Sequence, residues 1–306
     1  MSIGKKKPEI KVLRRALEHV EGEVVWGESL ANLTSLQVGG PADVLVMPSD
    51  LADLLRVIQG AKAHGVSYLV LGGTNVVVRD KGIRGIVIQL KHLTKIREED
   101  GQVIYAQAGI RLPRLMQFAV SRRLAGMEWA AGIPGTVGGA VVMNAGTRLG
   151  EMKDVLSAVD MVNARGKRVR LEAADLVFEY RKTTLPKGIV VGAWLQLQSS
   201  SRQAIESVAK EYLQYRKSTQ PLTQPNAGSV FVNPPGDSAG RLVEAAGLKG
   251  FRIGDAEVSK KHGNFIVNRG VATAEQVLSV IRKVRQVVFK KFGVRLQLEL
   301  KVLGEV

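Results

Sequence analysis

Hydrophobic and polar positions follow two rhythms along the chain, and together they predict a mixed α and β protein. In the N-terminal segment, apolar residues recur at helical spacing and predict a basic, amphipathic helix within residues 1 to about 25. Those apolar residues are Ile10, Leu13, Leu17 and Val20. A turn follows, then a strand predicted over residues 42–47, and Ser49 is the predicted N-cap of a helix that ends near Gly65.

The next stretch, SYLVLGGTNVVVRDKGIRGIVIQL, consists of three apolar runs separated by two turns. Such a pattern predicts three strands. The first of the two turns is Gly72-Gly73-Thr74-Asn75. The segment therefore predicts a strand–helix–strand–strand unit whose glycine turn carries the polar side chains.

A second unit is predicted beyond residue 100. Pro113 suits the first turn of a helix that runs to about Leu124. The segment ADLVFEYR (174–181) is predicted to be helical. The predicted strands of this unit lie at 103–110, 155–162 and 188–198.

Beyond residue 200 the sequence becomes more polar, and a domain boundary is expected there. A polar helix is predicted to close at Pro221, followed by a helix at 238–250 and a strand-like segment at 262–268. The long final helix has a predicted capping box, Thr273 with Gln276, and ends at Phe292 before Gly293. The alternating segment at 295–304 predicts the last strand, with Glu299 on it.

The composition narrows the classes of protein. The chain has 306 residues and no cysteine, which excludes disulfides, thiolate metal sites and cysteine nucleophiles, and no metal is predicted. No apolar run is long enough for a transmembrane helix, and the basic start MSIGKKKPEIKVLRR has no apolar segment after it, so it is not a signal peptide. A cytoplasmic protein without a membrane partner is therefore expected.

The net charge of +16 supports two hypotheses. A strongly basic chain is a first sign of nucleic-acid binding. A basic surface also steers small polyanions such as nucleotides. Lysines and arginines are spread along the chain apart from Lys5–Lys7, and aromatic residues make up only 5%. Without an aromatic-interleaved basic stripe, nucleic acid is not expected to be the main partner.

Two glycine-rich stretches are candidates for ligand binding. A turn such as Gly72–Asn75 exposes successive backbone N–H groups, which can hold phosphate oxygens, although a plain hairpin turn has the same pattern. The second stretch, GIPGTVGGAVVMNAG (132–146), has five glycines and no charge. It predicts either a buried strand flanked by turns or a backbone approached closely by a flat ligand. Neither stretch is a Walker loop or a GxGxxG fingerprint. Together they predict a phosphate-bearing cofactor.

Seven segments then carry a resemblance to a known family. In chain order they are NLTSLQVGGPADVLV, LVLGGTNVVVRDKGIRGIVI, AGIPGTVGGAVVMNAG, FEYRKT, QPLTQPNAGSVFVNP, AGLKGFRIGDAEVSKKHGNFIVN and VRLQLELKVLG. They cover roughly residues 30 to 304, and their order resembles that of the bacterial UDP-N-acetylenolpyruvoylglucosamine reductases. The length fits the short form of this family, which lacks a substrate-covering insertion.

The resemblance implies an α+β fold, with an FAD-binding domain of the vanillyl-alcohol-oxidase/PCMH type and a smaller α+β C-terminal substrate domain. We accordingly predict a basic N-terminal helical arm at 1–28, an FAD-binding domain at 29–200 with subdomains 29–95 and 96–200, and a substrate domain at 201–306. A monomer is favoured.

The resemblance also implies a reaction. NADPH would supply a hydride through bound FAD, and the enolpyruvyl ether of UDP-N-acetylglucosamine would be reduced to UDP-N-acetylmuramate for peptidoglycan synthesis. The hydride would reach the vinyl CH₂ carbon, and a proton would reach the other carbon. The flavin supplies the redox chemistry, and the protein supplies geometry and charge.

Three residues match the family's catalytic trio. Arg181 would hold the substrate carboxylate, because its planar guanidinium matches a carboxylate and stays protonated. Ser229 would donate the proton. Glu299 would assist near the carboxylate in its protonated form. Taken singly, each has an ordinary structural interpretation: a surface ion-pair former at a helix end, a turn residue and a wet-face glutamate.

The remaining site residues are predicted from the same motifs. The predicted flavin contacts are Gly72, Gly73, Thr74, Asn75, Gly132, Ile133, Pro134, Gly135, Thr136, Gly138, Gly139, Asn144 and Gly146. The predicted substrate contacts are Tyr180, Asn233, Lys260 and His262, the last of which could equally be a structural histidine.

Three alternatives stay open at this point. One is another FAD-dependent oxidoreductase on the same fold. A second is a family member that has lost flavin, since LGGTN is one residue shorter than the family's usual LGGGSN. The third is a basic nucleic-acid-binding protein.

Overall fold

The computed structural model describes residues 8–306, so the predicted basic run Lys5–Lys7 lies outside the described residues. The chain divides into two compact units. The first comprises the described residues up to Val25 together with Val44–Gly72 and Gly85–Tyr215. The second comprises Trp26–Asp43, Gly73–Arg84 and Arg216–Val306.

The described residues form seven α-helices. They are α1 (Ile10–Ala16), α2 (Leu51–Ala63), α3 (Leu112–Ser121), α4 (Val137–Val142), α5 (Arg202–Thr219), α6 (Ala239–Ala245) and α7 (Ala274–Phe292). Both ends of α7 are as predicted. Thr273 and Gln276 form the capping box, and Gly293 follows with a left-handed φ of 71°.

The strands are short. In chain order they are β1 (Glu23–Trp26), β2 (Ala42–Met47), β3 (Tyr68–Val70), β4 (Val76–Val78), β5 (Ile83–Ile88), β6 (Ile96–Glu99), β7 (Val103–Gln107), β8 (Leu124–Ala125), β9 (Gly146–Thr147), β10 (Gly150–Glu151), β11 (Leu156–Asn163), β12 (Arg168–Glu172), β13 (Val177–Glu179), β14 (Lys182–Thr184), β15 (Gly188–Gln196), β16 (Gln198–Ser199), β17 (Arg252–Ile253), β18 (Ala256–Val258), β19 (Ile266–Asn268) and β20 (Lys301–Leu303).

The first unit is built on two sheets. One has the strand order β1-β2-β5-β3, with β3 and β5 parallel. The other has the order β12-β11-β15-β7-β6 and is antiparallel at each pairing. Helix α1 packs on α2, and α4 packs on β15. The buried side chains of these elements form one continuous apolar core. Burial of its aliphatic residues contributes most of the stabilisation of this unit.

The second unit has its own apolar core. Its antiparallel sheet has the order β17-β18-β19, and α7 packs against β17 and β18 through its buried stripe. Strands β4 and β20 pair in parallel, so the chain segment after the first glycine turn lies beside the C-terminal segment. This pairing positions the predicted Glu299 segment.

Two predictions near the N-terminus were wrong. The first helix ends at Ala16 rather than near residue 25, and Glu23–Trp26 is a strand. The amides of Glu21 and Gly22 donate to the Asp53 carboxylate at 2.8 Å each, so the chain turns there instead of continuing as a helix. The N-cap of α2 is Asp50, not Ser49, because the Asp50 carboxylate accepts the Asp53 amide at 2.8 Å.

Two later elements also differ from their predictions. The segment predicted as the helix ADLVFEYR contains a short 3₁₀ turn at Ala173–Asp175 and then strand β13, because Val177 and Phe178 pair with Thr184 and Thr183 of β14. The last regular strand is Lys301–Leu303, so Glu299 precedes it. Among the described residues, no helix has the length and apolar character needed to cross a membrane.

Candidate active site

The first glycine turn lies between β3 and β4 and has unused hydrogen-bond donors. Among the described residues, no acceptor is bonded to the backbone amides of Gly72, Gly73 and Thr74. Asn75 follows with a left-handed φ of 53°. Successive unpaired amides in a turn form a concave site for an anion. The turn is therefore equipped to bind phosphate oxygens.

The second glycine stretch forms a short helix instead of a strand, so the buried-strand alternative was wrong. The hydroxyl of Thr136 caps α4 by accepting the Gly139 amide. The amides of Val137 and Gly138 donate to the carbonyls of Ile110 and Ala108, both at 2.9 Å. The first amides of α4 are thus bonded inside the protein and are not available to a ligand.

The surroundings of the glycines distinguish packing from ligand space. A Cβ on Gly73, Gly138 or Gly146 would lie within 3.0 Å of the chain's own atoms, so packing alone requires glycine at these positions. A Cβ on Gly72 would meet nothing within 4 Å, and one on Gly139 would meet only the Thr136 hydroxyl at 3.7 Å. Neither residue has a positive φ. Glycine at these two positions leaves open space beside the backbone, which fits the close approach of a flavin cofactor.

The predicted catalytic Arg181 lies in the turn of the β13–β14 hairpin, and hydrogen bonds join that hairpin to the second glycine stretch. The buried Asn144 side chain donates to the Glu179 carbonyl at 3.2 Å and accepts the Lys153 amide at 3.0 Å. The Thr183 hydroxyl donates to the Val141 carbonyl at 2.5 Å. The side chain of the predicted flavin contact Asn144 thus joins the hairpin to the segment that contains Lys153.

Arg181 itself has an uncommon backbone conformation. Its φ is 56°, in the left-handed region that side-chain-bearing residues rarely adopt. The guanidinium carbon lies 4.8 Å from the centre of the exposed Tyr180 ring. Strained backbone of this kind is concentrated at functional sites, because the surrounding structure must hold it in place. The hairpin therefore presents Arg181 and Tyr180 together.

In the second unit, two asparagines hold the segment that contains Ser229. The Asn226 side chain accepts the Gly228 amide at 2.9 Å, and Gly228 has a φ of 78°. The buried Asn264 accepts the Phe231 amide at 2.9 Å through its side chain and the Val230 amide through its carbonyl. The backbone on both sides of the half-buried Ser229 is consequently fixed.

Glu299 lies on the chain segment that pairs with the Ser229 segment. The Glu299 amide donates to the Val230 carbonyl at 2.9 Å. The Asn75 side chain donates to the Glu299 carbonyl at 3.3 Å. The second unit therefore brings together the end of the first glycine turn, the neighbour of Ser229 and the predicted acid Glu299.

Ser35, in the segment NLTSLQVGG, extends this network. Its amide donates to the Gly73 carbonyl at 2.8 Å, and its carbonyl accepts the Asn226 amide at 3.0 Å. Segments that are about forty and two hundred residues apart in sequence are thus joined by backbone bonds. These hydrogen bonds hold the NLTSLQVGG segment next to the glycine turn.

The other predicted substrate contacts lie elsewhere in the second unit. The exposed Asn233 accepts the Ala239 amide at 3.0 Å at the start of α6, and Lys260 is exposed. His262 accepts the Asn264 amide at 3.1 Å, and its ring meets Phe265 edge-on at 4.9 Å. Burial and the nearby Lys249 lower the pKa of His262, so it is neutral at pH 7. His262 therefore supports Asn264, as the structural interpretation predicts.

Sequence reasoning missed two features of the first unit. One is the pair of hydrogen bonds by which the Asn144 side chain joins Glu179 and Lys153. The other is a cluster of Arg148 with Tyr212 and Tyr215, in which residues more than sixty positions apart are in contact. No local motif signals such a contact. Within residues 8–306, no group of histidine and acidic side chains is arranged to hold a metal ion.

Comparison with known proteins gives matches over most of the chain. Residues 42–172 match a family model described as FAD binding domain, and residues 220–303 match the C-terminal domain of UDP-N-acetylenolpyruvoylglucosamine reductase. UDP-N-acetylenolpyruvoylglucosamine reductase 2 of Symbiobacterium thermophilum is 43% identical over 293 residues, which is 95% of each chain.

Two solved structures extend the comparison. The UDP-N-acetylenolpyruvylglucosamine reductase of Thermus caldophilus is 40% identical, with a TM-score of 0.79 over 92% of this chain and 98% of its own. The BBE-like 1 protein of Physcomitrella patens, at 18% identity and a TM-score of 0.50 over 61% of this chain and 44% of its own, shares the fold alone. The expected fold is confirmed: an FAD-binding domain of the PCMH type with a C-terminal substrate-type domain. The chain belongs to the UDP-N-acetylenolpyruvoylglucosamine reductase family.

Proposed function

We propose that this protein reduces the enolpyruvyl ether of UDP-N-acetylglucosamine to UDP-N-acetylmuramate, with FAD as its bound cofactor and NADPH as the hydride donor. The observation that carries the proposal is the hydrogen-bond network of the second unit. That network joins the open glycine turn, the Ser229 segment and the Glu299 segment. Membership of the family supports the proposed reaction, and this network supports the roles proposed for these segments.

The glycine stretches are the proposed flavin contacts. The unbonded amides of Gly72, Gly73 and Thr74 would bind phosphate oxygens of FAD, and the bare backbone at Gly139 would allow its close approach. Bound flavin would supply the redox chemistry, which is the uptake of hydride from NADPH and its transfer to the substrate. The protein holds the cofactor and the substrate in position for these transfers.

Arg181 is the proposed carboxylate-binding residue. Hydride addition to the vinyl CH₂ carbon leaves negative charge on the adjacent carbon, and that charge spreads into the substrate carboxylate. A guanidinium placed at the carboxylate stabilises the charged intermediate more than the substrate, so the barrier falls. The hairpin that carries Arg181 is held by a hydrogen bond from the Asn144 side chain to the Glu179 carbonyl and by one from the Thr183 hydroxyl to the Val141 carbonyl. A hairpin held in this way supports the proposed role of Arg181 as a preorganised group.

Ser229 is the proposed proton donor and Glu299 its proposed partner near the carboxylate. The side chains of Asn226 and Asn264 fix the backbone on either side of Ser229. A weak acid such as serine needs to be held in place in this way to transfer a proton efficiently. The proton from Ser229 completes the addition of H⁻ and H⁺ across the double bond.

We include in this proposal that the protein acts in peptidoglycan precursor synthesis. We also propose that it is a cytoplasmic monomer without a nucleic-acid partner.

The direct test of this function is the steady-state oxidation of NADPH by the FAD-loaded protein. Oxidation should require the enolpyruvyl ether, and UDP-N-acetylmuramate should accumulate in equal amount. NADPH oxidation that is indifferent to the enolpyruvyl ether would point instead to another FAD-dependent oxidoreductase on this fold.

Gly139→Ala should separate flavin binding from folding. An alanine in α4 favours the helix, so the apoprotein should be as stable as the wild type or more stable by up to about 1 kcal/mol. The added methyl group would occupy the open space beside the backbone, so the Kd for FAD should rise at least about tenfold. Thermal unfolding of the apoprotein and fluorescence titration with FAD measure the two effects.

Gly138→Ala is the matched comparison. Its Cβ would lie 2.9 Å from the Ala108 side chain, so the apoprotein of this variant should be less stable than the wild-type apoprotein. If Gly139→Ala instead binds FAD like the wild type, then Gly139 does not contact the flavin.

A further inference from the structure

Arg148 is held against two aromatic rings in the first unit. It lies between β9 and β10, and its side chain is exposed. The guanidinium carbon is 3.9 Å from the centre of the Tyr215 ring and 5.6 Å from that of Tyr212. The two tyrosines are one turn apart on α5, and their rings are stacked with centres 6.2 Å apart. Two rings on one helix therefore contact this guanidinium.

Among residues 8–306, no acidic side chain pairs with the N–H groups of Arg148. Within the described part of the chain, Arg148 takes part in no ion pair, whereas its neighbour Lys153 pairs with Glu151 at 2.7 Å. An arginine stacked through its face keeps its five N–H donors in the plane, directed away from the rings. Arg148 is thus oriented by the protein but is not neutralised by it.

The position of Arg148 links it to the second glycine stretch. Arg148 follows Gly146 by two residues. Tyr212 packs in an apolar cluster with Ala131, which directly precedes Gly132. Arg148 and its aromatic support are thus adjacent to both ends of the stretch proposed to contact FAD.

We propose that Arg148 binds a phosphate group of a nucleotide ligand and that Tyr212 and Tyr215 are its positioning residues. This inference rests on the proposed function, because the ligands of that reaction are nucleotides rich in phosphate and its carboxylate is assigned to Arg181. A planar, oriented guanidinium matches phosphate through two parallel hydrogen bonds. Because the side chain is exposed, little desolvation opposes binding.

Four phosphate groups of these ligands could bind Arg148, and Arg148→Gln distinguishes them. Equilibrium titrations of the FAD-loaded protein measure Kd for the enolpyruvyl ether, NADP⁺ and NAD⁺, and reconstitution of the apoprotein measures Kd for FAD. We expect one of these constants to rise about tenfold or more. A rise for the enolpyruvyl ether assigns the UDP diphosphate, a rise for NADP⁺ but not NAD⁺ assigns the 2′-phosphate, a rise for both assigns the dinucleotide diphosphate, and a rise for FAD assigns the flavin diphosphate.

Arg170→Gln is the matched control. Arg170 is also exposed and stacked on an aromatic ring, with its guanidinium carbon 4.4 Å from the Trp194 ring, but it is paired with Glu172. The substitution removes the same charge. All four constants should stay within about twofold of wild type, because only long-range electrostatics would change.

The aromatic support is tested with Tyr215. Tyr215→Leu should reproduce most of the Arg148→Gln effect on the same ligand, and Tyr215→Phe, which keeps the ring, should bind that ligand like the wild type. The inference is overturned if Arg148→Gln leaves all four constants unchanged, or if Arg170→Gln weakens binding equally. Turnover of the wild type, measured separately, tests the proposed function itself.

Discussion

Ser229→Ala should bind FAD and oxidise NADPH with wild-type rates in the first half-reaction, while formation of UDP-N-acetylmuramate falls about a hundredfold to ten-thousandfold. The reason is that the hydroxyl is needed only after the hydride has reached the substrate. Asn226 and Asn264 bind the backbone amides of the residues around Ser229, so removal of its hydroxyl leaves this segment in place. Stopped-flow absorbance of the flavin measures the two half-reactions separately.

The control for this variant is Ser121→Ala. The Ser121 hydroxyl is exposed and donates to the Phe118 carbonyl of its own helix, so its removal should change neither half-reaction. If Ser229→Ala slows both half-reactions equally, then Ser229 is a structural residue and another group donates the proton.

Arg181→Met should lower kcat/KM for the enolpyruvyl ether about a hundredfold to a thousandfold, while the reduction of FAD by NADPH is retained. The substitution removes the cation that stabilises the carboxylate as charge develops on it. Rapid-mixing experiments with pre-reduced protein measure reoxidation by the substrate, and titration measures its Kd.

Lys182→Met is the matched control, because Lys182 is the adjacent cation of the same hairpin. Its ammonium pairs with Glu179, and both side chains are exposed, so the pair contributes little. Lys182→Met should therefore react like the wild type. Normal reoxidation of Arg181→Met by the substrate would remove Arg181 from the carboxylate site.

The fold was predictable from the sequence where its signals are local. Helix α7 has a capping box, an apolar stripe and a terminal glycine, all between Thr273 and Gly293, so its bounds were predicted correctly. Strand β13 lies in the segment 174–181, which was predicted as a helix because its residues also fit helical spacing. What decides its structure is the pairing of Val177 with Thr184, together with the left-handed turn at Arg181.

The site was predictable as a set of motifs but not as a geometry. The glycine stretches could be identified, yet composition does not distinguish Gly138, which packs against Ala108, from Gly139, which faces open space. Similarly, Asn144 resembles a ligand contact in sequence, and only the fold shows that its side chain joins Glu179 and Lys153. The contact of Arg148 with Tyr215 depends on the packing of α5 and leaves no local pattern.

One anaerobic single-turnover experiment shows whether hydride passes from NADPH through FAD to the enolpyruvyl ether. The FAD-loaded protein is reduced with one equivalent of NADPH and then mixed with the enolpyruvyl ether of UDP-N-acetylglucosamine. If hydride takes this route, the absorption of oxidised flavin should return and one equivalent of UDP-N-acetylmuramate should form. Flavin that stays reduced in the presence of the enolpyruvyl ether, with no product, would mean that hydride does not pass from FAD to this substrate.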